Sequence, residues 1–369
     1  MHANTTHTVT VTALGATTQG TFTLHITGAP GDIAYADISG TVGFAITPAT
    51  PTVSTHGTTG RITTWAINAT PPNGLTFESS NGTIWGTPTQ VVTGAVFTVW
   101  ANNSVGSAST TVNITIGDVT VSLHPAGHIL GSAQVLMEYD GRRAVVTGDY
   151  KTHPDSTAQT FELVPCDLFV TEATFGLPVF QHPDPMLEIS RLLASVAAQP
   201  ERCHVLGAYA LGKAQRVIKL IREAGHDAPI YLHGAQEKLC GYYMAQGIDL
   251  GDLRKALDRE KDSFRGHIVI APPSALRDRW SRRLPDPVVC QASGWMTIKQ
   301  RAKQSGVELP LVISDHADWN ELTTTIAATG AETVWVTHGR EDALVHWCRQ
   351  RGLAAEPLYL QGREEDLSE

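Results

Sequence analysis

Apolar and polar positions follow two different periods along this chain, and the change falls near Gly117. Before it, apolar residues alternate with Thr, Ser and Asn in short runs at 8–12, 21–26, 96–100 and 111–116, the period-two pattern of half-buried β-strands. Pro72-Asn73-Gly74, Asn81-Gly82 and Gly86-Thr87-Pro88 are turn signals between strands. No stretch here has helical periodicity. From Asp118 onward, strand-like runs (119–123, 133–139, 143–147, 167–171, 230–232, 267–270, 311–314, 333–337) alternate with helical ones (186–198, 212–224, 237–246, 321–329, 341–351). That order predicts an α/β layered domain. Helical spacing puts Glu188, Arg191, Lys219 and Arg222 on exposed faces.

Within the first third there is an echo. Val9-Thr10-Val11-Thr12-Ala13 and Phe22-Thr23-Leu24-His25-Ile26 are mirrored by Phe97-Thr98-Val99-Trp100-Ala101 and Val112-Asn113-Ile114-Thr115-Ile116. An offset of about 90 residues fits tandem sandwich domains. Residues 1–37 then read as a partial repeat and 38–117 as a complete one. The runs at 72–77 and 82–88 resemble Ig-like or cadherin-like repeats of large surface proteins, which implies adhesion or spacing. Three acids (Asp32, Asp37, Glu78) and one base (Arg61) are too few charges to argue for calcium.

Composition changes the picture little. At 369 residues the chain should hold two or three domains. A net charge of −9 excludes neither a local basic groove nor bound cations that recruit phosphate. All five cysteines (Cys166, Cys203, Cys240, Cys290, Cys348) follow the change of period and include no CxxC, so they read as reduced, buried thiols of a cytoplasmic protein. No leader or membrane-spanning run is evident.

Chemistry concentrates at the ends of the later strands. His128 lies in a loop between Gly127 and Gly131, Asp149 follows Gly148, and His338 precedes Gly339. Strand ends of α/β sheets are where sites form, and His and Asp are ligands suited to zinc or manganese.

Pro125-Ala126-Gly127-His128-Ile129-Leu130-Gly131-Ser132-Ala133 and Thr147-Gly148-Asp149-Tyr150 resemble the third and fourth motifs of metallo-β-lactamase-fold nucleases. Thr171-Glu172-Ala173-Thr174-Phe175-Gly176, Ser314-Asp315-His316-Ala317-Asp318 and Val336-Thr337-His338-Gly339 look like the three motifs of their β-CASP branch. Residues 208–215 resemble a strand-to-helix turn of that cassette. Over 118–362 the chain is similar to DNA-ligase-associated exonucleases, also called mRNA 3′-end-processing-factor-like proteins.

The resemblance implies a multidomain chain. An all-β Ig-like sandwich would precede an α/β partial metallo-β-lactamase fold (118–180 and 305–369) with an inserted β-CASP domain (181–304). It implies two Zn2+ or Mn2+ ions, with His128 on one, Asp149 on both and His338 on the second. His316, near Glu172 or a neighbouring acid, would protonate the leaving oxygen or stabilise the scissile phosphate, and Asp315 and Asp318 would orient His316, although Asp318 reads equally as a helix cap. Gly212 and Lys213 would grip a phosphate, unless Lys213 is an ordinary exposed helix residue. His124 reads as structural. DNA or RNA is the implied substrate, with a DNA ligase and a helicase as partners and DNA repair as the setting.

The family's His-x-His-x-Asp-His motif occurs nowhere in this sequence. The histidines of the first third (His2, His7, His25, His56) are isolated. Three ligands cannot close two metal sites, so the expected function is a nuclease by ancestry with impaired activity. The alternative is a non-enzymatic nucleic-acid-binding or scaffold fusion with an Ig-like adhesion module, and the chain reads as a chimera. A small-molecule hydrolase is disfavoured by the β-CASP motifs.

Overall fold

A computed structural model describes residues 4–13, 16–25, 28–54, 60–257 and 259–360. Of the positions singled out above, His2, Ile26, His56 and 361–369 lie outside the described residues. Contacts divide the chain into two units, Met1–Thr120 and Val121–Glu369.

The first unit is all β. Its strands are β1 (Asn4–Ala13), β2 (Ala16–His25), β3 (Ile33–Ala34), β4 (Ile38–Thr41), β5 (Thr52–Val53), β6 (Thr64–Ile67), β7 (Leu75–Phe77), β8 (Ile84–Gly86), β9 (Val92–Asn102) and β10 (Ser107–Gly117). β1 and β2 form an antiparallel pair of their own. A second sheet has the order β4-β10-β9-β6, in which β4 runs parallel to β10. Alternation explains the packing. Phe97, Val99 and Ala101 on β9 and Val112, Ile114 and Ile116 on β10 turn inward, while Val96 stays 62% exposed. Trp65, Leu75 and Ile84 complete this core, and so does Ile33, upstream of the boundary expected at 38.

The second unit is α/β, with two six-stranded sheets. Its strands are β11 (Thr120–Pro125), β12 (Ala133–Tyr139), β13 (Arg142–Val146), β14 (Leu168–Ala173), β15 (His204–Gly207), β16 (Ile230–Leu232), β17 (Leu253–Lys255), β18 (Ile268–Ala271), β19 (Val288–Ala292), β20 (Leu309–Leu311), β21 (Thr333–Gly339) and β22 (Ala354–Pro357). Its helices are α1 (Pro185–Ala198), α2 (Lys213–Glu223), α3 (Gly234–Ala245), α4 (Lys299–Gln304), α5 (Trp319–Thr329) and α6 (Glu341–Arg349). One sheet has the order β11-β12-β13-β14-β21-β22. The other, β17-β16-β18-β15-β19-β20, is inserted between β14 and β21, and its pairings are parallel. Since β20 belongs to the inserted sheet, that layer reaches past the boundary expected at 304.

Register sorts the first sheet into two faces. Leu136, Val145, Phe169 and Val334 are successive cross-strand neighbours and bury against Leu322 and Ile326 of α5 and Leu344 of α6. The adjacent row, Val135, Val146, Val170 and Trp335, lies on the opposite face. On the edge strand β11, Val121 and Leu123 are 60% and 69% exposed. The inserted sheet packs against Ile189 and Leu192 of α1 and Val217, Ile218 and Ile221 of α2.

Several expectations need correction. Glu188 is buried rather than exposed, because its carboxylate accepts from Val312 N–H and Arg191. Lys219 and Arg222 are only partly exposed, and Arg222 donates to the carbonyls of His226, Ala228, Leu250 and Asp252. β15, buried at every position, carries no alternation to reveal it; such runs mark parallel strands covered on both faces. The five cysteines are buried and unpaired, as expected. No helix among the described residues is long and apolar enough to cross a membrane.

Phe169→Ala should destabilise the α/β unit by about 3–5 kcal/mol in denaturant unfolding. Tyr139→Ala, at a site 39% exposed at the end of β12, should stay within about 0.5 kcal/mol.

Candidate active site

Four strand ends deliver side chains to one point. Asp149 follows β13, Glu172 and His338 each lie one residue before the end of β14 and β21, and His128 comes from the loop between β11 and β12. His316 arrives from the segment between β20 and α5.

The loop carrying His128 is held by Ser132, whose hydroxyl accepts from His128 N–H and Ile129 N–H and donates to the Ile129 carbonyl. His128 Nδ1 lies 2.9 Å from the Asp315 carbonyl oxygen. A carbonyl can only accept, so Nδ1 carries the proton and Nε2 keeps its lone pair. That Nε2 is 3.9 Å from Asp149 Oδ2. From the other side, His338 Nε2 is 3.8 Å from Asp149 Oδ1. One imidazole therefore stands near each oxygen of a single carboxylate.

His338 takes its place through an unusual backbone. Its φ is +55°, a left-handed conformation that His tolerates better than most residues. Gly339 must follow, because a Cβ there would fall 2.0 Å from the Ala173 carbonyl oxygen.

His316 is set differently. Its Nδ1 is 2.9 Å from Glu172 Oε2 and 3.9 Å from Asp149 Oδ1. Glu172 is buried and fixed by Tyr150 N–H at 2.7 Å and the Thr174 hydroxyl at 2.5 Å. Burial works against protonation of His316, but the hydrogen bond and charge of Glu172 outweigh it and raise its pKa. For His128, burial dominates and lowers the pKa. The two rings lie 4.6 Å apart, one biased to carry a proton and the other to offer a lone pair.

This donor set suits a metal. Ligand atoms of His128, Asp149 and His316 lie within 4.8 Å of one another. Because Nδ1 of His316 is engaged by Glu172, the freer donors are His128 Nε2, the Asp149 oxygens and His338 Nε2. A Nδ1–H···O=C bond like that of His128 is the arrangement that orients metal-binding imidazoles. Each end of Asp149 offers one nitrogen and one oxygen, about two donors short of a tetrahedral centre.

Of the other residues picked from the sequence, Lys213 is buried, with Nζ 3.1 Å from Asp315 Oδ2 and 3.1 Å from the Ile313 carbonyl. Gly212 gives its N–H to Gln215 Oε1, so that amide already has a partner. Its φ is +82°, and a Cβ would come 2.1 Å from Ile129 Cγ2, which lets α2 start against the His128 loop. Asp318 caps α5, accepting from Glu321 N–H and, through its other oxygen, from His182 N–H. Asp315 holds His128 through its carbonyl and pairs its carboxylate with Lys213 and Arg216. The bond that orients His316 comes from Glu172. His124 bonds Ser122 and Glu162, away from this cluster.

Sequence reasoning missed the rest of this network. Arg216 also pairs with Asp155, which holds Lys151 at 2.5 Å. Nothing in periodicity marks Arg216 as a buried cation on α2. Burial alone would raise the Asp315 pKa; Lys213, Arg216 and Lys151 overcome it and hold the carboxyl at about 2. Burial pushes the Lys213 ammonium down to about 8.

Asp315→Asn removes the shared carboxylate and leaves Lys213 and Arg216 buried without it, which should cost about 3–5 kcal/mol at neutral pH. Since the folded pKa lies below the ordinary value of about 3.9, this stabilisation is present above that value and is lost as pH falls toward 2. Urea midpoints measured between neutral pH and pH 2 should converge for wild type and variant at the acid end.

Residues 30–117 match the family model described as "Putative Ig domain". The chain is 30% identical over 242 residues to a "Probable DNA ligase" from Opitutus terrae, a match covering 64% of this chain and 23% of that protein. It is 29% identical over 124 residues to "Cleavage and polyadenylation specificity factor 73" of Drosophila melanogaster, covering 31% of this chain and 18% of the relative. An "RNase J-like protein" of Methanocaldococcus jannaschii is 28% identical over 138 residues, covering 35% and 32%. The chain spans less than a third of the length of each of these relatives. The C-terminal two-thirds of the chain resembles the β-CASP metallo-β-lactamase-fold nucleases, and its N-terminal third resembles Ig-like repeats.

Proposed function

We propose that the α/β unit carries one half of a metal-dependent nucleic-acid phosphodiesterase site, of the DNA-ligase-associated exonuclease type. The observation that supports it most is the Asp149 carboxylate, with His128 Nε2 near one oxygen and His338 Nε2 near the other. His128, Asp149 and His338 would hold Zn2+ or Mn2+, with Asp149 shared between two ions. Metal held by these residues would supply positive charge against a phosphodiester and its departing oxygen.

The chain's own groups have separable roles. The Asp315 carbonyl keeps the proton of His128 on Nδ1, so Nε2 stays available. Glu172 takes the Nδ1 hydrogen bond of His316 and stabilises its protonated ring, leaving Nε2–H to serve a leaving oxygen. Phe175 packs beside His316, with ring centroids 6.2 Å apart. With two donors at each end of Asp149, metal affinity and turnover are low in this chain. That same donor count favours the second reading, a non-enzymatic nucleic-acid-binding or scaffold fusion with an Ig-like adhesion module.

The substrate in this reading is DNA or RNA. The relative named as a DNA ligase supports a DNA-repair setting with a ligase partner, and a helicase is the further partner this family type implies. Unpaired buried cysteines suit the reducing cytoplasm.

Calorimetric titration with Mn2+ or Zn2+ separates the two readings. The phosphodiesterase reading expects about two ions per chain, one of them lost in His338→Ala and both in Asp149→Ala. It also expects slow metal-dependent cleavage of a labelled oligonucleotide, abolished in Asp149→Ala. Metal uptake and cleavage unaffected by Asp149→Ala would refute it.

A further inference from the structure

Beside the histidines, one large aromatic ring is left in solvent on a backbone that cannot move freely. Tyr209 is 65% exposed, and with Leu211, 50% exposed, it lines the same cleft as His128, His316, Thr174 and Trp295. The segment carrying it joins β15 to α2 and has no regular structure, yet every residue from Ala208 to Gly212 is tied down. Ala208 N–H donates to the Ala271 carbonyl, and the Ala208 carbonyl accepts from Gln236. The Tyr209 carbonyl accepts from Ala214 N–H, the Ala210 carbonyl from Gln215 Nε2 and the Leu211 carbonyl from Lys213 N–H. Gly212 N–H donates to Gln215 Oε1, and its carbonyl accepts from Arg216 N–H. Gln215 and Gln236 are themselves fully buried. Loops are ordinarily the mobile parts of a fold, and here an exposed side chain is presented by a fixed one.

Trp295 lies in the same cleft. It is packed on Phe175 and Phe180, with centroids 5.0 and 5.1 Å away, and the Arg301 guanidinium sits 4.1 Å from its ring centre. The cleft thus offers planar apolar surface next to groups suited to a phosphodiester.

We propose that Tyr209 is the stacking platform for an unpaired nucleobase, making a single-stranded segment or end the form of nucleic acid this site accepts. The proposal rests on the phosphodiesterase reading and adds the substrate form. Inside a duplex each base face is covered by its neighbours, so away from a helix end a fixed ring meets a free π-face only on an unpaired nucleotide. Stacking of this kind tolerates any base and is insensitive to the hydrogen-bonding edge. Anchoring the loop in advance removes the ordering cost that a mobile tyrosine would add on binding. The hydroxyl of Tyr209 has no part in this, so Phe should replace it.

The test is fluorescence anisotropy on the full chain at fixed salt. The probes are a fluorescein-labelled ten-thymidine oligonucleotide and a labelled hairpin duplex of equal charge, closed at both ends by polyethylene glycol linkers in place of nucleotide loops. Wild type should prefer the single strand. Tyr209→Ala should weaken single-strand binding about tenfold and leave hairpin binding and the salt dependence unchanged, since no phosphate contact is removed. Tyr209→Phe should bind as wild type does. If wild type binds the single strand and Tyr209→Ala binds it equally, or if Tyr209→Phe loses as much as Tyr209→Ala, stacking is overturned while the phosphodiesterase reading stands. If wild type binds neither probe, both readings fall. Because Tyr209 is exposed, its variants should keep the wild-type melting temperature, which separates lost stacking from lost fold.

Discussion

A buried carboxylate at Asp315 ties the two sheets of the α/β unit to the site between them. Its side chain pairs with Lys213 and Arg216 on α2, while its carbonyl sets the tautomer of His128 from the first sheet. Arg216 extends the network to Asp155 and Lys151. Buried charges of this kind add little stability relative to a well-packed apolar core, but removing one partner is costly. The network therefore acts more as a device for register than as a source of free energy. It places α2, the His128 loop and the segment bearing His316 in one arrangement.

Around that anchor the site divides its labour by environment. His128 and His316 have rings 4.6 Å apart, yet their pKa values are pushed in opposite directions. Desolvation wins at His128; Glu172 wins at His316. Two chemically identical side chains are thereby prepared for different work, one as a donor of electrons and one as a carrier of a proton. The site is unequal in another sense. Donors reach Asp149 from strand ends of one sheet and from the segment that follows the inserted layer.

Glycines carry much of the local geometry. His338 can turn its imidazole toward Asp149 only because the following residue lacks a Cβ that would strike the Ala173 carbonyl. Gly212 permits the contact between α2 and Ile129 in the same way. At the cleft wall, two buried glutamines perform a related task with hydrogen bonds and hold the Tyr209 loop still.

Period-two alternation was enough to find the strands at Val92–Asn102 and Ser107–Gly117, and the change of period near Gly117 marks the passage from all-β to α/β structure. The Gly-flanked motifs were enough to nominate His128, Asp149 and His338, because a ligand at a strand end leaves a local signature of turn residues. The wholly buried strand His204–Gly207 went unread, since a strand covered on both faces has no polar face to alternate with, whereas the equally buried Ile230–Leu232 and Ile268–Ala271 were found as short apolar runs. The partners of Lys213, Arg216 and Asp315 were equally hidden: a charged residue on a helix looks the same in sequence whether it meets water or a carboxylate about a hundred positions away. Residue type and spacing determined which groups could do chemistry here. Tertiary structure decided which pair of atoms faces which, because hydrogen-bond direction and burial arise only when distant segments are brought together.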